Sequence, residues 1–230
     1  MQKIAAALLF GVIATSGFSQ ELYHPDRITK HFINKQNCDQ ILNNDGYFQT
    51  CYSYKHKGAK YVAYKLDGKL VNKKNIKKRP RFYDDLSIPK RYRSHYSDYT
   101  RNPYHMDRGH LLADAAIDYS KRSLHAAYAM SNIIPQYYSI NRDKDKWQGV
   151  ERYERSIATK LGSVRTIDGV IYGSKPNWIG HSAVAVPKAF WKMIYNESAG
   201  YQKCFYFENN KEYTFGKSQI KDYTIDCRKL

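Results

Sequence analysis

Asp107-Arg108-Gly109-His110 places an acid, a cation and an imidazole side by side. Histidine titrates near neutrality, and a base works best when its pKa lies close to the operating pH. The neighbouring arginine presents a planar fork that suits a phosphate. Gly109 between them allows a bend that brings both groups to one anion. Such a set can hydrolyse a phosphodiester. That reaction needs an activated water, cations against the charge growing on phosphorus, and stabilisation of the departing sugar oxygen. Arginines and a divalent metal suit the last two needs. Taken alone the signal is weak, because the chain has 8 histidines and most are expected to be surface or structural residues. His105 lies close enough to form a zinc pair with His110, but no third ligand is near, and it is read as structural.

The elements that must position these residues read as α+β. Tyr47, Gln49, Cys51 and Ser53, then Tyr61 to Leu66 before a turn at Asp67-Gly68, suit strands. Residues 72–100 carry little apolar periodicity and read as extended or looping, and residues 111–130 mix helical and irregular signals. The spacing of Trp147, Val150, Ile157 and Leu161 predicts a helix over 141–161 ended by Gly162. Further strands are expected at Gly169 to Gly173, Ala183 to Val186 and Lys203 to Glu208. Strands on both sides of helices without a βαβ rhythm predict a largely antiparallel sheet. A Gly-rich phosphate loop is absent from the sequence.

With 230 residues, no repeat and no linker, a single domain over residues 20–230 is expected. Residues 1–19 read as a cleaved secretory signal: Lys3, an apolar run from Ile4 to Ile13, then small residues to Ser19. The run is too short to span a bilayer, so no stable membrane insertion is expected. Export places the 4 cysteines in an oxidising compartment. Of the three possible pairings, Cys38 with Cys51 and Cys204 with Cys227 are preferred as local staples, and no spacing resembles a zinc site. The net charge is +17, falling by one if Lys3 leaves with the leader. Lys73, Lys74, Lys77, Lys78, Arg79 and Arg81 cluster ahead of Lys90, Arg91 and Arg93, with Tyr83, Tyr92, Tyr96 and Tyr99 interleaved. Cations beside stacking rings fit a sequence-tolerant nucleic-acid groove.

Residues 98–110, from Asp98-Tyr99-Thr100 to Asp107-Arg108-Gly109-His110, resemble the signature of the DNA/RNA non-specific endonucleases. That family includes secreted bacterial sugar-non-specific nucleases and mitochondrial endonuclease G. The likeness continues through Met130-Ser131-Asn132-Ile133-Ile134-Pro135-Gln136, then Asn141, Trp147 and Glu151, and resumes at Val186 to Lys192. It spans most of the mature chain with its motifs in order.

The resemblance implies a ββα-metal nuclease fold, two strands and a helix around one magnesium ion (manganese substituting), within a largely antiparallel sheet flanked by helices. It implies His110 as general base and Asn141 as the direct metal ligand; magnesium keeps most of its waters, so one neutral oxygen suffices. Glu151 would accept hydrogen bonds from waters on the metal. Arg108 would sit near the phosphate, Asn132 and Gln136 would help hold the site, and Asp107 would orient its neighbours. The family's upstream phosphate-binding arginine has two candidates in Arg79-Pro80-Arg81-Phe82-Tyr83-Asp84-Asp85, of which Arg79 is favoured. The stretch from Asn141 to Trp147 departs from the secreted members by being longer. Without the resemblance, Asn141 would read as a helix N-cap and Glu151 as a partner of Arg155 one turn along. Trp147 reads as core packing, and Arg122 and Arg142 as substrate contacts.

The expected function is an exported, magnesium-dependent endonuclease that cuts DNA and RNA with little sequence preference and leaves 5′-phosphates, in a periplasm or outside the cell. A non-catalytic nucleic-acid-binding or DNA-uptake protein on the same scaffold is the competing expectation. A protein inhibitor is left open.

Overall fold

The computed structural model describes residues 22–73, 76–212 and 216–230. The leader expected over residues 1–19 and Lys74 of the basic run lie outside the described residues. Helix α1 (Arg27–Gln36) precedes strands β1 (Gln40–Leu42), β2 (Phe48–Ser53) and β3 (Gly58–Asp67). After an irregular stretch come β4 (Asp107–His110), α2 (Lys121–Ala127), β5 (Ile133–Gln136), α3 (Tyr138–Asn141) and α4 (Trp147–Leu161). Strands β6 (Ser163–Ile171), β7 (Trp178–Ile179), β8 (Val184–Ala185), β9 (Ala189–Asn196), β10 (Tyr201–Glu208) and β11 (Thr224–Ile225) follow.

One sheet runs β1-β2-β3-β6-β9-β10-β11 with every neighbour antiparallel, and β4 pairs with β5 in a separate ribbon. The central strands are covered on both faces. On one face Val62, Tyr64 and Leu66 pack with Trp147, Val150 and Ala158 of α4. On the other, Tyr61 and Ala63 pack with Phe32 of α1, Ile167 and Trp191. Burial on both sides explains why Tyr61 to Tyr64 of β3 form an unbroken apolar run rather than an alternating one. The disulfides are Cys38–Cys51 and Cys204–Cys227, each closing a local loop at one edge of the sheet.

Close approach fixes one glycine in this sheet. Gly169 on β6 stands opposite Trp191 on β9, and a Cβ there would overlap the indole. Trp191 is 5% exposed and has no room to withdraw. Gly169→Ala is expected to lower stability by about 1–3 kcal/mol through overpacking, read as a shift in the urea midpoint at unchanged slope.

The helix expected over 141–161 begins late. Asn141 ends α3, and α4 starts at Trp147 with Lys146 in the capping position. The intervening turn is held by a local bond, Asp143 Oδ1 accepting from the Asp145 amide at 2.9 Å, and by a tertiary one, Lys146 Nζ donating to the Glu212 carbonyl at 3.2 Å. The N-cap reading of Asn141 is therefore wrong. Gly162 does end α4, at φ 81°. Residues 76–100 are irregular, with short 3-10 turns at Lys90–Tyr92 and Tyr96–Tyr99. Tyr99 is not a free ring there: it is 3% exposed and donates to the Ile133 carbonyl.

Candidate functional site

The β4–β5 ribbon sets Asp107 opposite Gln136 and His110 opposite Ile133. Successive strand residues alternate faces, so Arg108 and His110 share one side while Asp107 and Gly109 share the other. Gly109 is therefore not at a bend. It lies in a regular strand, where a Cβ would overlap the Gln136 side chain, so the glycine lets Gln136 lie across β4. Gln136 is fully buried, and neither its Oε1 nor its Nε2 has a hydrogen-bond partner.

His110 packs its ring 5.4 Å from Phe82 and 5.0 Å from Tyr128. Its Nε2 is enclosed and has no hydrogen-bond partner. Burial lowers its pKa below the usual 6.5; nearby Arg79 lowers it further while Asp114 opposes. The imidazole is thus neutral at neutral pH. Its backbone is anchored as well, since Trp147 Nε1 donates to the His110 carbonyl at 3.1 Å. Trp147 is a core residue, as expected from sequence, and it also ties α4 to the His110 strand.

Arg79 reaches this neighbourhood from the irregular segment. Its guanidinium pairs with Asp114 at 3.3 Å and Asp118 at 3.1 Å, and Tyr128 donates to Asp114 at 2.7 Å. Arg81 is exposed. Arg108 donates to the Tyr96 carbonyl and to Thr100 Oγ1, and its Cζ lies 3.6 Å from the centre of the Tyr96 ring. Asn132 is fully buried and uses its whole amide on backbone: Nδ2 donates to the Leu112 and Ala127 carbonyls, and Oδ1 accepts from the Leu112 amide. It braces the turn after His110 and has no donor left over.

On the other face Asp107 collects two partners. Asn141 Nδ2 donates to it at 3.0 Å, and Arg142 grips it with Nε at 2.8 Å and Nη2 at 2.5 Å. Because the Asn141 nitrogen is committed to a carboxylate, its amide oxygen is the end left to accept. Glu151 on α4 is half-buried, and burial pushes its carboxyl up to about 8; Lys192 and Arg155 pull it down, while Glu154 and Asp114 add to the rise. Among the described residues no Glu151–Arg155 ion pair forms, and Arg155 Nη1 is enclosed without a partner. Asp114, Asp118 and Tyr128 belong to this neighbourhood but were not picked out from sequence. The one signal for Asp114 is a carboxylate inside the apolar run Leu111-Leu112-Ala113-Asp114-Ala115-Ala116.

Among the described residues no three His, Cys, Asp or Glu side chains gather as a metal cage. Asn141 instead offers one amide oxygen beside the Asp107 carboxylate. That donor set suits a hard cation that keeps most of its water.

A sequence profile of the DNA/RNA non-specific endonucleases matches residues 25–230. The chain is 28% identical to human mitochondrial endonuclease G over 173 residues, covering 71% of this chain and 57% of that protein. It is 26% identical to the mitochondrial nuclease of Saccharomyces cerevisiae, covering 68% and 51%. The salivary endonuclease of Lutzomyia longipalpis is 26% identical, with coverage of 79% and 48%. The chain thus spans about half the length of these relatives. A solved EndoG/EndoGI complex contains a chain with the same fold: TM-score 0.74, 24% identity, coverage of 90% of this chain and 89% of that one.

Proposed function

The chain belongs to the DNA/RNA non-specific endonuclease family, and from that premise we propose that it is an exported, divalent-metal-dependent endonuclease acting on DNA and RNA. The observation that carries this reading is His110: a neutral imidazole with an enclosed, unpartnered nitrogen, on the strand face it shares with Arg108 and beside Arg79. A buried polar atom without a partner costs free energy, about 1–3 kcal/mol, and such orphans need a reason. A water held for attack on phosphorus supplies one.

In this reading His110 accepts the proton of the attacking water and later releases it to solvent. Arg79 and Arg108 face the phosphate and offset charge on its oxygens. Asp107 orients Asn141 through the 3.0 Å bond, and Asn132 keeps the turn after His110 in place. Gln136, buried with both amide atoms unpartnered, supports the same ribbon. The Asn141 oxygen would hold magnesium, or manganese in its place, with Glu151 binding waters around it. A divalent ion bound there would act as a Lewis acid toward the leaving 3′ oxygen. The products would carry 5′-phosphates. Attack by water needs no 2′-hydroxyl, so both DNA and RNA qualify as substrates.

Export is supported by the two disulfides and by the signal-like run over residues 1–19, with residues 20–230 as the mature domain. Among the described residues no helix is long and apolar enough to cross a membrane. The test is direct: the mature chain is incubated with plasmid DNA and with RNA, in magnesium and in excess EDTA. Both substrates are expected to be cut in magnesium and spared in EDTA. Intact nucleic acid in magnesium would leave the protein a binder without catalysis.

A further inference from the structure

Of the tyrosines interleaved with the basic run, three are occupied. Tyr99 is buried, Tyr83 stacks on His125 with ring centres 4.3 Å apart, and Tyr92 lies between Tyr54 at 4.1 Å and the Arg91 guanidinium at 4.7 Å. Tyr96 differs: it is 51% exposed. Tyr96 also has a fixed place relative to His110. Its ring centre is 6.2 Å from that of Phe82, which in turn is 5.4 Å from that of His110. Arg108 lies against the ring at 3.6 Å and donates to the carbonyl of the same residue. The ring is therefore held from behind by a residue of the candidate site while half its surface stays open.

We propose that Tyr96 is a stacking platform for an unpaired base of the substrate strand, next to the phosphate addressed by His110 and Arg108. This rests on the nuclease reading above and adds a preference within it. With a rise of about 3.4 Å per stacked nucleotide, the two ring-to-ring steps place the platform within a few nucleotides of the reacting phosphate. Every base has a π face, so stacking there is tolerant of sequence. A paired base inside a duplex keeps its faces covered by its neighbours and cannot use the ring. Tyr96 thus favours single strands, loops and frayed ends over intact duplex, without reading sequence.

The probe is a pair of short strands of equal length, oligothymidine and its abasic tetrahydrofuran counterpart, which share phosphates and differ only in bases. Dissociation constants are measured by fluorescence anisotropy in EDTA, where no turnover is needed, and kcat/KM in magnesium. The preference of wild type for the strand with bases is expected to fall about fivefold to tenfold in Tyr96→Leu and to be kept in Tyr96→Phe. Plasmid duplex should lose less than the oligothymidine. An unchanged preference in Tyr96→Leu overturns the proposal. So does an equal loss in Tyr96→Phe, or an equal loss on both strands, which would mean that Tyr96 acts by supporting Arg108. If wild type cuts nothing in magnesium, the nuclease reading fails, and the binding ratio still decides the platform.

Discussion

His110→Ala is expected to slow cleavage of plasmid DNA by roughly a hundredfold to ten-thousandfold, the contribution typical of a positioned general base. The loss should fall on kcat, because Arg79 and Arg108 stay in place to bind phosphate. Folding should persist, since Trp147 bonds to the residue 110 carbonyl, which alanine retains. The pH profile separates a chemical role from a structural one. Burial lowers the His110 pKa below 6.5, and only the neutral ring can accept a proton. Wild-type kcat/KM should therefore hold from neutrality down past pH 6.5 and then drop with acid. The residual activity of the variant should lack that acid limb, and added imidazole should restore part of the rate. If His110→Ala cuts as fast as wild type, the base is another group.

Some of this arrangement was open to sequence reading, for identifiable reasons. The grouping of Arg108 with His110 was expected from their nearness in sequence, although a regular strand, and no bend at Gly109, brings them to one face. The strand-forming residues Tyr61 to Leu66, closed by the turn at Asp67-Gly68, marked β3. Other parts depended on the fold itself. Strand β9 carries a lysine at its centre, which breaks its apolar signature. The end of α3 at Asn141 follows from the buried Asp143 and from the reach of Lys146 to Glu212, contacts that periodicity cannot register. Arg79 meets Asp114 and Asp118 across more than thirty positions of chain. Arg155 looked like an ordinary helix-surface partner for Glu151, yet its Nη1 is enclosed and unpaired.

Lys192 carries the largest expected effect on stability. Its ammonium is fully buried between α4 and the sheet, bonded to Tyr64 OH at 2.8 Å, Asp168 at 2.9 Å and Glu154 at 3.2 Å. Burial works against its charge, but Asp168 and Glu154 outweigh that, so its pKa rises. Burial likewise pushes Asp168 up to about 7, with Lys192 opposing and Glu154 adding to the rise. Lys192→Met leaves two carboxyls in the core with no cation, at an expected cost of about 3–5 kcal/mol. For a domain of this size that lowers Tm by roughly 6–20 °C.

The deficit should also depend on pH. Without the lysine the buried Asp168 carboxyl, already raised by burial, keeps its proton in the fold to higher pH than in the unfolded chain. A folded state that binds more protons loses stability as pH rises, by about 1.4 kcal/mol per unit for each extra proton. The gap between variant and wild type should therefore widen from pH 5 to pH 8. An equal gap at both would mean a packing defect and no charge effect. Adding Glu154→Gln and Asp168→Asn to Lys192→Met should recover much of the loss, because the uncompensated charges are then gone. The same cluster bears on the site. Glu154 lies one helical turn from Glu151, and the ammonium sits 4.9 Å from the ring centre of Trp147, whose indole holds the His110 strand. Loosening it should disturb both halves of the candidate site, so activity in Lys192→Met should fall at temperatures below its own Tm and return in the triple variant.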